Sequence, residues 1–235
     1  MKVEENKITQ KAYQWAKANK KSFAEKYIKE SGAVPDKEEP ACIFMAGLPG
    51  AGKTEYVRTI IRESGVKAVC IDMDDIASRI EGYKPQEADL FRLSATILQN
   101  EIFDRTKAKY YPFIMDGTLA SDITINCIRK AINKGYRVKI VYIKQDPAVA
   151  WRNTKEREKI ERRSINLDGF IDSYENTINN LEKVVSSLDV MIDIIIKDKH
   201  NKTIDFIQNA TRSDIDKYVK IDYNNKQLRD SLDYE

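Results

Sequence analysis

Apolar residues recur at helical spacing over residues 5–30, at Ile8, Ala12, Ala16, Phe23 and Tyr27, with lysines between them. This spacing predicts an amphipathic helix. Ser31, Gly32 and Pro35 end the pattern, and PDKEEP (35–40) reads as a linker. From Pro40 onward, short apolar runs alternate with longer helical patterns. Strands are expected at ACIFMA (41–46), VKAVCI (66–71), PFIMD (112–116), RVKIVYIK (137–144) and DVMIDIIIK (189–197). Helices are expected at 52–64, within 85–108, from about 123 to 135, from about 146 into NTKEREKIERRS, and over 170–188. Such alternation implies a mostly parallel, doubly wound α/β sheet of five strands. The expected organisation is an N-terminal helical extension (1–39), a main domain (40–200) and a C-terminal extension packed on it (201–235).

Composition removes several function classes. Forty basic against thirty-seven acidic side chains leave a net charge of +3, which argues against a nucleic-acid coat or a membrane surface. No apolar run reaches membrane-spanning length and the N-terminus lacks a signal-peptide core, so a cytoplasmic protein is expected. Cys42, Cys70 and Cys127 show no paired spacing and read as reduced, small apolar residues. The single histidine, His200, sits in the polar turn KDKHNK. Histidine-based triads and zinc centres are therefore disfavoured, and proton transfer falls to carboxylates.

The segment Gly47-Leu48-Pro49-Gly50-Ala51-Gly52-Lys53-Thr54 fits the pattern G-x-x-x-x-G-K-[ST], between an expected strand and an expected helix. Glycines let successive backbone N–H groups face phosphate oxygens, Lys53 reaches the outer phosphates, and the Thr54 hydroxyl ligates Mg²⁺. The expected ligands are ATP or GTP with Mg²⁺. No guanine-reading N-K-x-D, transporter signature or motor motif follows, which leaves a small kinase.

Acids stand where two strands end. IDMDD (71–75) places Asp72, Asp74 and Asp75 at the carboxyl edge of the second strand, where ligands of parallel sheets collect. Asp74 is the candidate base for an attacking hydroxyl, and Asp72 a candidate substrate contact. Asp72 and Asp75 read equally well as helix caps. FIMDGT (113–118) offers Asp116 as an acid able to hold a Mg²⁺-bound water, with Gly117 and the Thr118 hydroxyl beside it. WRNTKEREKIERRSI (151–165) supplies arginines that suit a phosphoryl-transfer lid, although Arg152 and Arg162 read better as solvated partners of glutamates at i,i+4.

AGLPGAGKTE, IDMDD, DGT, YIKQDPAVAWRNTKEREKIERRSI and FIDSY, in this order and spacing, resemble the bacterial zeta-toxin family of P-loop kinases over about residues 40–197. The resemblance implies a P-loop kinase domain of five strands in the order 2-3-1-4-5. It also implies ATP- and Mg²⁺-dependent phosphorylation of the 3′-hydroxyl of the amino sugar in UDP-N-acetylglucosamine. Carried over, Asp74 is the general base, and Arg157 and Arg163 are lid arginines over the transferring phosphate. Asp116 and Thr118 face the substrate. A substrate-binding glutamate falls nearest Glu101, with Asn100 the alternative register. An antitoxin protein is the candidate partner. Where many relatives have an arginine three residues after the base, this chain has Ala77; Glu81-Gly82-Tyr83 and Asn166 also depart from the family pattern. These departures border the acceptor side. The competing readings are a kinase for another acceptor (a nucleic-acid end, a dinucleotide or an antibiotic) and a non-catalytic nucleotide-binding module.

Overall fold

The computed structural model describes residues 2–162 and 164–232. Helix α1 (Lys2–Glu30) precedes β1 (Ala41–Ala46), α2 (Lys53–Ser64), β2 (Val69–Asp72), α3 (Met73–Ser78), α4 (Ala88–Ala108) and β3 (Phe113–Asp116). Then follow α5 (Asp122–Asn133), β4 (Arg137–Lys144), α6 (Pro147–Glu161), α7 (Leu167–Ser187), β5 (Met191–Lys197), β6 (Thr203–Ile207), α8 (Arg212–Tyr218) and α9 (Asn225–Leu232). The sheet order is β2-β3-β1-β4-β5-β6. The first five strands run parallel in the expected order, and β6 adds an antiparallel sixth at the edge. The boundary expected at residue 200 therefore falls inside the β5–β6 hairpin. Helix–strand alternation with one apolar run per strand forces this layered arrangement, because strands covered on both faces need helices on each.

The middle of the sheet is the core. Phe44 on β1 meets Phe113 on β3 edge-to-face at 5.7 Å, and Phe103 of α4 meets the same ring at 5.7 Å. Each is fully buried, which stabilises the fold by roughly 2–3 kcal/mol per ring. These contacts fix α4 across β3, and so fix the loops at the strands' carboxyl ends.

The N-terminal helix joins this core. Ala12, Ala16, Ala24, Tyr27 and Ile28 are buried, with Ile8, Trp15 and Phe23 packed alongside, and α1 lies along α4. The Tyr27 hydroxyl donates to the Cys70 carbonyl at 2.7 Å. Because β2 is an edge strand, that bond satisfies a carbonyl that has no neighbouring strand. Arg79 stacks on the Tyr27 ring at 4.7 Å and pairs with Glu30 and Asp75. Thus α1 closes the sheet edge that carries the acidic segment.

The C-terminal residues are tied back too. Lys144 donates to the Tyr218 carbonyl and to Asp222, both at 2.9 Å. The Tyr174 hydroxyl accepts from the Asp222 and Tyr223 N–H groups. Cys42 and Cys127 are buried and Cys70 half-buried, and all three are free thiols. Among the described residues, no helix is long and apolar enough to cross a membrane.

Candidate active site

Strand β1 delivers residues 47–52 to the centre of the sheet's carboxyl edge, between β3 and β4. Lys53 opens α2 and is buried. Its ammonium donates to the carbonyls of Gly47 at 2.9 Å and Leu48 at 2.6 Å, so the loop curls around its own lysine. Burial pushes Lys53 down to about 8, against the pull of Asp116, Glu55 and Asp74. Gly50 stands at φ 77°, where a Cβ would lie 2.1 Å from the Ala150 carbonyl oxygen and 2.6 Å from the Thr154 hydroxyl. Only glycine lets α6 rest directly on the loop. Asn153 completes that contact by donating to the Gly50 carbonyl at 2.9 Å.

The two strand-end acids face each other across a register pair, Asp72 on β2 with Asp116 on β3. Asp116 is buried, and its carboxylate accepts the Thr54 hydroxyl at 2.9 Å. Burial raises Asp116, opposed by the Thr54 bond and the charge of Lys53. Hydroxyl and carboxylate together are hard oxygen donors, and a cation beside a desolvated carboxylate would relieve its burial, so the pair fits Mg²⁺. Asp72 caps α3, accepting the Asp74 N–H at 2.8 Å. Burial, then the Asp74 charge, pushes Asp72 up to about 6. Its cap bond is thus observed, whereas its role toward substrate stays an expectation.

Asp74 lies in the first turn of α3, not in the strand. Its charge acts on Lys53, Asp72, Asp116 and Arg157, and its N–H bond to Asp72 ties it to the residue paired with Asp116. Arg157 reaches the same cluster from α6, its charge acting on Lys53 and Asp116. The i,i+4 pair expected for Arg152 or Arg162 falls instead on Arg157, whose Nε donates to Glu161 at 2.7 Å. Asp146 caps α6 and Pro147 follows it, which starts the helix at this point. Trp151 packs edge-to-face on Phe170 at 5.1 Å and anchors α6 to α7. Arg163 lies outside the described residues.

A small cavity of about 50 Å³ opens beside Asp116, lined by Gly117, Gln99, Asn100 and Thr124 with Phe103 and Met115. Glu101 does not line it. Its carboxylate binds Arg105 at 2.6 Å and Lys20 of α1 at 3.0 Å. One residue along α4 rotates the side chain by about 100°, which turns Glu101 toward α1 and leaves Asn100 at the cavity. Glu101, the expected substrate contact, thus turns away from this cavity, and Asn100, the alternative register, lines it. Thr118 accepts three hydrogen bonds. Its carbonyl accepts the Gly47 N–H at 3.2 Å and the Thr177 hydroxyl at 2.9 Å, and its own hydroxyl accepts the Ala120 N–H at 3.3 Å.

Sequence reasoning missed the residues that hold these loops. Thr177 and Asn180 of α7 bind the carbonyls of Thr118 and Leu119. Asn153 and Asn201 exchange amide bonds at 2.8 and 3.0 Å, and Gln145 joins them at 2.9 Å. A signal existed for the first pair: two polar residues interrupt the apolar stripe of Tyr174, Ile178 and Leu181, all buried with them. Buried polar side chains have partners, and here the partners are site loops.

A glycine-rich loop after the central strand, an acid ending the neighbouring strand, and this strand order define a P-loop kinase-type fold. The chain belongs to the zeta toxin family, whose family model matches residues 24–211. Among curated proteins no sequence matches. A structure of the PezAT chromosomal toxin–antitoxin system of Streptococcus pneumoniae aligns over 97% of this chain and 92% of the other, with 18% identity and a TM-score of 0.63. One of AvrRxo1-ORF1:AvrRxo1-ORF2 with sulphate ions aligns over 97% and 84%, with 14% identity and a TM-score of 0.54. At these identities the likeness is one of fold.

Proposed function

We propose that the protein is a phosphotransferase that moves the terminal phosphoryl group of ATP to a hydroxyl of a nucleotide sugar, with the 3′-hydroxyl of UDP-N-acetylglucosamine as acceptor. The observation that carries this reading is the meeting of Lys53, the Thr54–Asp116 pair, Asp74 and Arg157 in one cluster at the carboxyl edge of the sheet. Membership of the zeta toxin family supports the acceptor class. On this reading the loop backbone and Lys53 hold the nucleotide's outer phosphates. Thr54 and Asp116 would hold Mg²⁺, which supplies charge neutralisation on the phosphates. Asp74 takes the proton from the acceptor hydroxyl as its oxygen bonds to the phosphorus, and ADP leaves with the electrons of the broken bridge bond. Arg157, together with Arg163, stabilises the charge spread over the transferring group, while α6 excludes competing water.

An antitoxin partner and a cytoplasmic setting belong to the same proposal. One fold neighbour comes from a toxin–antitoxin system.

The decisive experiment incubates purified protein with γ-labelled ATP, Mg²⁺ and UDP-N-acetylglucosamine. Label is expected in the sugar nucleotide, and Asp74→Asn should lower transfer about 1,000-fold or more while ATP affinity changes by less than about threefold. Full turnover in Asp74→Asn would remove Asp74 as the base. Transfer to a different acceptor pool would retain the kinase and discard the nucleotide sugar.

A further inference from the structure

We propose that Lys197 is a second ammonium contact for the nucleotide, holding the phosphates that are not transferred. This rests on the reading of residues 47–54 as a phosphate-binding loop.

Three independent features converge on this lysine. First, the β5–β6 ladder is irregular between Ile196 and Lys197, at the carboxyl end of β5. A bulge at the rim of a sheet re-aims the side chain that follows it. Second, that side chain reaches across the end of β4 to the loop. An ideal Cβ on Gly52, which stands at φ 89°, would lie 2.1 Å from the Lys197 Nζ and 3.6 Å from the Glu55 carboxylate. The missing side chain of Gly52 is the space that the ammonium occupies. Third, among the described residues the Lys197 ammonium has no side-chain hydrogen bond and no ion pair within 4 Å. Burial lowers its affinity for a proton, offset only in part by the charge of Glu55. A half-buried cation without a partner at the mouth of a phosphate loop is stabilised by an anion placed there.

The hairpin that carries Lys197 is held rigidly against the site. Its turn includes Asn201, tied to Asn153 of α6 and to Gln145, and Gln145 also donates to the Asp198 carbonyl at 3.2 Å. Asn153 in turn holds the Gly50 carbonyl. Hairpin, α6 and loop are therefore one hydrogen-bonded unit.

Position separates the role of Lys197 from that of Lys53. Asp74, Asp116, Arg157 and Glu55 act on Lys53, whereas among the described residues Glu55 alone acts on Lys197. Lys197 thus stands apart from Asp74, Asp116 and Arg157, beside Gly52, which caps α2, and Glu55 in its first turn. Loop backbone at this point cradles the inner phosphates. A contact there is the same before, during and after transfer, so it serves binding and not the chemical step.

The test measures Mg²⁺-ADP binding by titration calorimetry on the full chain, comparing wild type with Lys197→Met and Lys197→Arg. Loss of a charge-assisted contact should weaken ADP binding about tenfold or more in Lys197→Met, and Lys197→Arg should stay within about threefold. In the transfer assay Lys197→Met should raise KM for ATP by the same factor with kcat within about twofold. The melting point of the nucleotide-free variant should not fall, since a desolvated charge is removed; Lys197→Gln substitutes should the methionine variant misfold. ADP affinity within twofold of wild type in a folded Lys197→Met or Lys197→Gln overturns the assignment and leaves the loop reading intact. Wild-type protein that binds neither ADP nor ATP overturns both.

Discussion

Asp72 offers a stability experiment that needs no substrate. Its side chain is half-buried, faces Asp116 across the β2–β3 pair, and sits two residues from Asp74. Burial and the neighbouring Asp74 charge move it from 3.8 to about 6. Each tenfold change in an ionisation constant is worth about 1.4 kcal/mol, so the full displacement corresponds to about 3 kcal/mol. For an acid raised in the folded state, the folded chain binds more protons than the unfolded chain between the two values. Stability therefore falls as pH rises through that window. From pH 5 to pH 8 the share lost is about 1.4 kcal/mol, and partial solvent contact trims this to about 1 kcal/mol. Asp72→Asn keeps an oxygen to accept the Asp74 N–H and so keeps the α3 cap. The variant should match wild type to within about 0.5 kcal/mol near pH 4, where both side chains are neutral in the folded state, and exceed it progressively above that pH. Urea unfolding at pH 5.0 and 8.0, without Mg²⁺, followed by the fluorescence of the two tryptophans, measures the difference. Two results would refute the reasoning: a wild-type-minus-variant difference that does not change with pH, or a variant less stable than wild type at pH 8.0.

Three further outcomes follow from the same geometry. With Lys53 held at about 8, nucleotide binding that restores its full charge takes up about half a proton at pH 8 and about a tenth at pH 7; calorimetry in buffers of different ionisation enthalpy reads this, and no uptake at pH 8 would contradict it. Gly50→Ala places a Cβ against the Ala150 carbonyl at 2.1 Å, so α6 or the loop must move; nucleotide affinity should drop at least about tenfold, with stability lowered by about 1–3 kcal/mol on chemical denaturation. Thr106→Val removes a buried hydroxyl that has no partner among the described residues, and the melting point should hold or rise, equivalent to about 0–1 kcal/mol.

What the sequence discloses here depends on where specificity is local. The loop at 47–54 was legible because its chemistry is its spacing: glycines, lysine and threonine must be consecutive for backbone and side chain to meet one phosphate chain. Strand β4 has the bounds expected for it, because Gly135 precedes it and the Asp146 cap follows. Strand β2 is shorter than its apolar run, starting at Val69 and leaving Val66 exposed. It is an edge strand whose one partner, β3, spans four residues, and a partner's length is not written in the strand itself. Strand β6 gave no signal, since none of its five residues is buried. Glu101 and Asn100 differ by one position, and only the phase of α4 against Phe103 and the sheet decides which one faces the cavity. Helical phase is a tertiary fact. The arginines failed for a related reason: i,i+4 spacing allowed several pairs in α6, and packing of Trp151 on Phe170 sets which face looks inward.

The placement of Lys53 bears on how the proposed catalyst would work. Its ammonium is buried and already has two carbonyl partners, at 2.9 and 2.6 Å. Phosphate binding on the proposed reading exchanges those partners for phosphate oxygens, so the net gain from this residue is a difference between two charge-assisted sets of bonds and not the strength of one. Arg157 is in the same position, because its Nε is engaged by Glu161 at 2.7 Å. Lys53 is desolvated before transfer, whereas Arg157 is still exposed and is oriented by its Glu161 bond. Both are held within the field of Asp74 and Asp116. Preorganisation of this kind favours the transition state over the bound ground state, since exchange of partners returns little when charge is diffuse and more when it concentrates on the transferring oxygens. On that argument Arg157→Lys should lower kcat far more than it raises KM for ATP, the reverse of the pattern expected at Lys197.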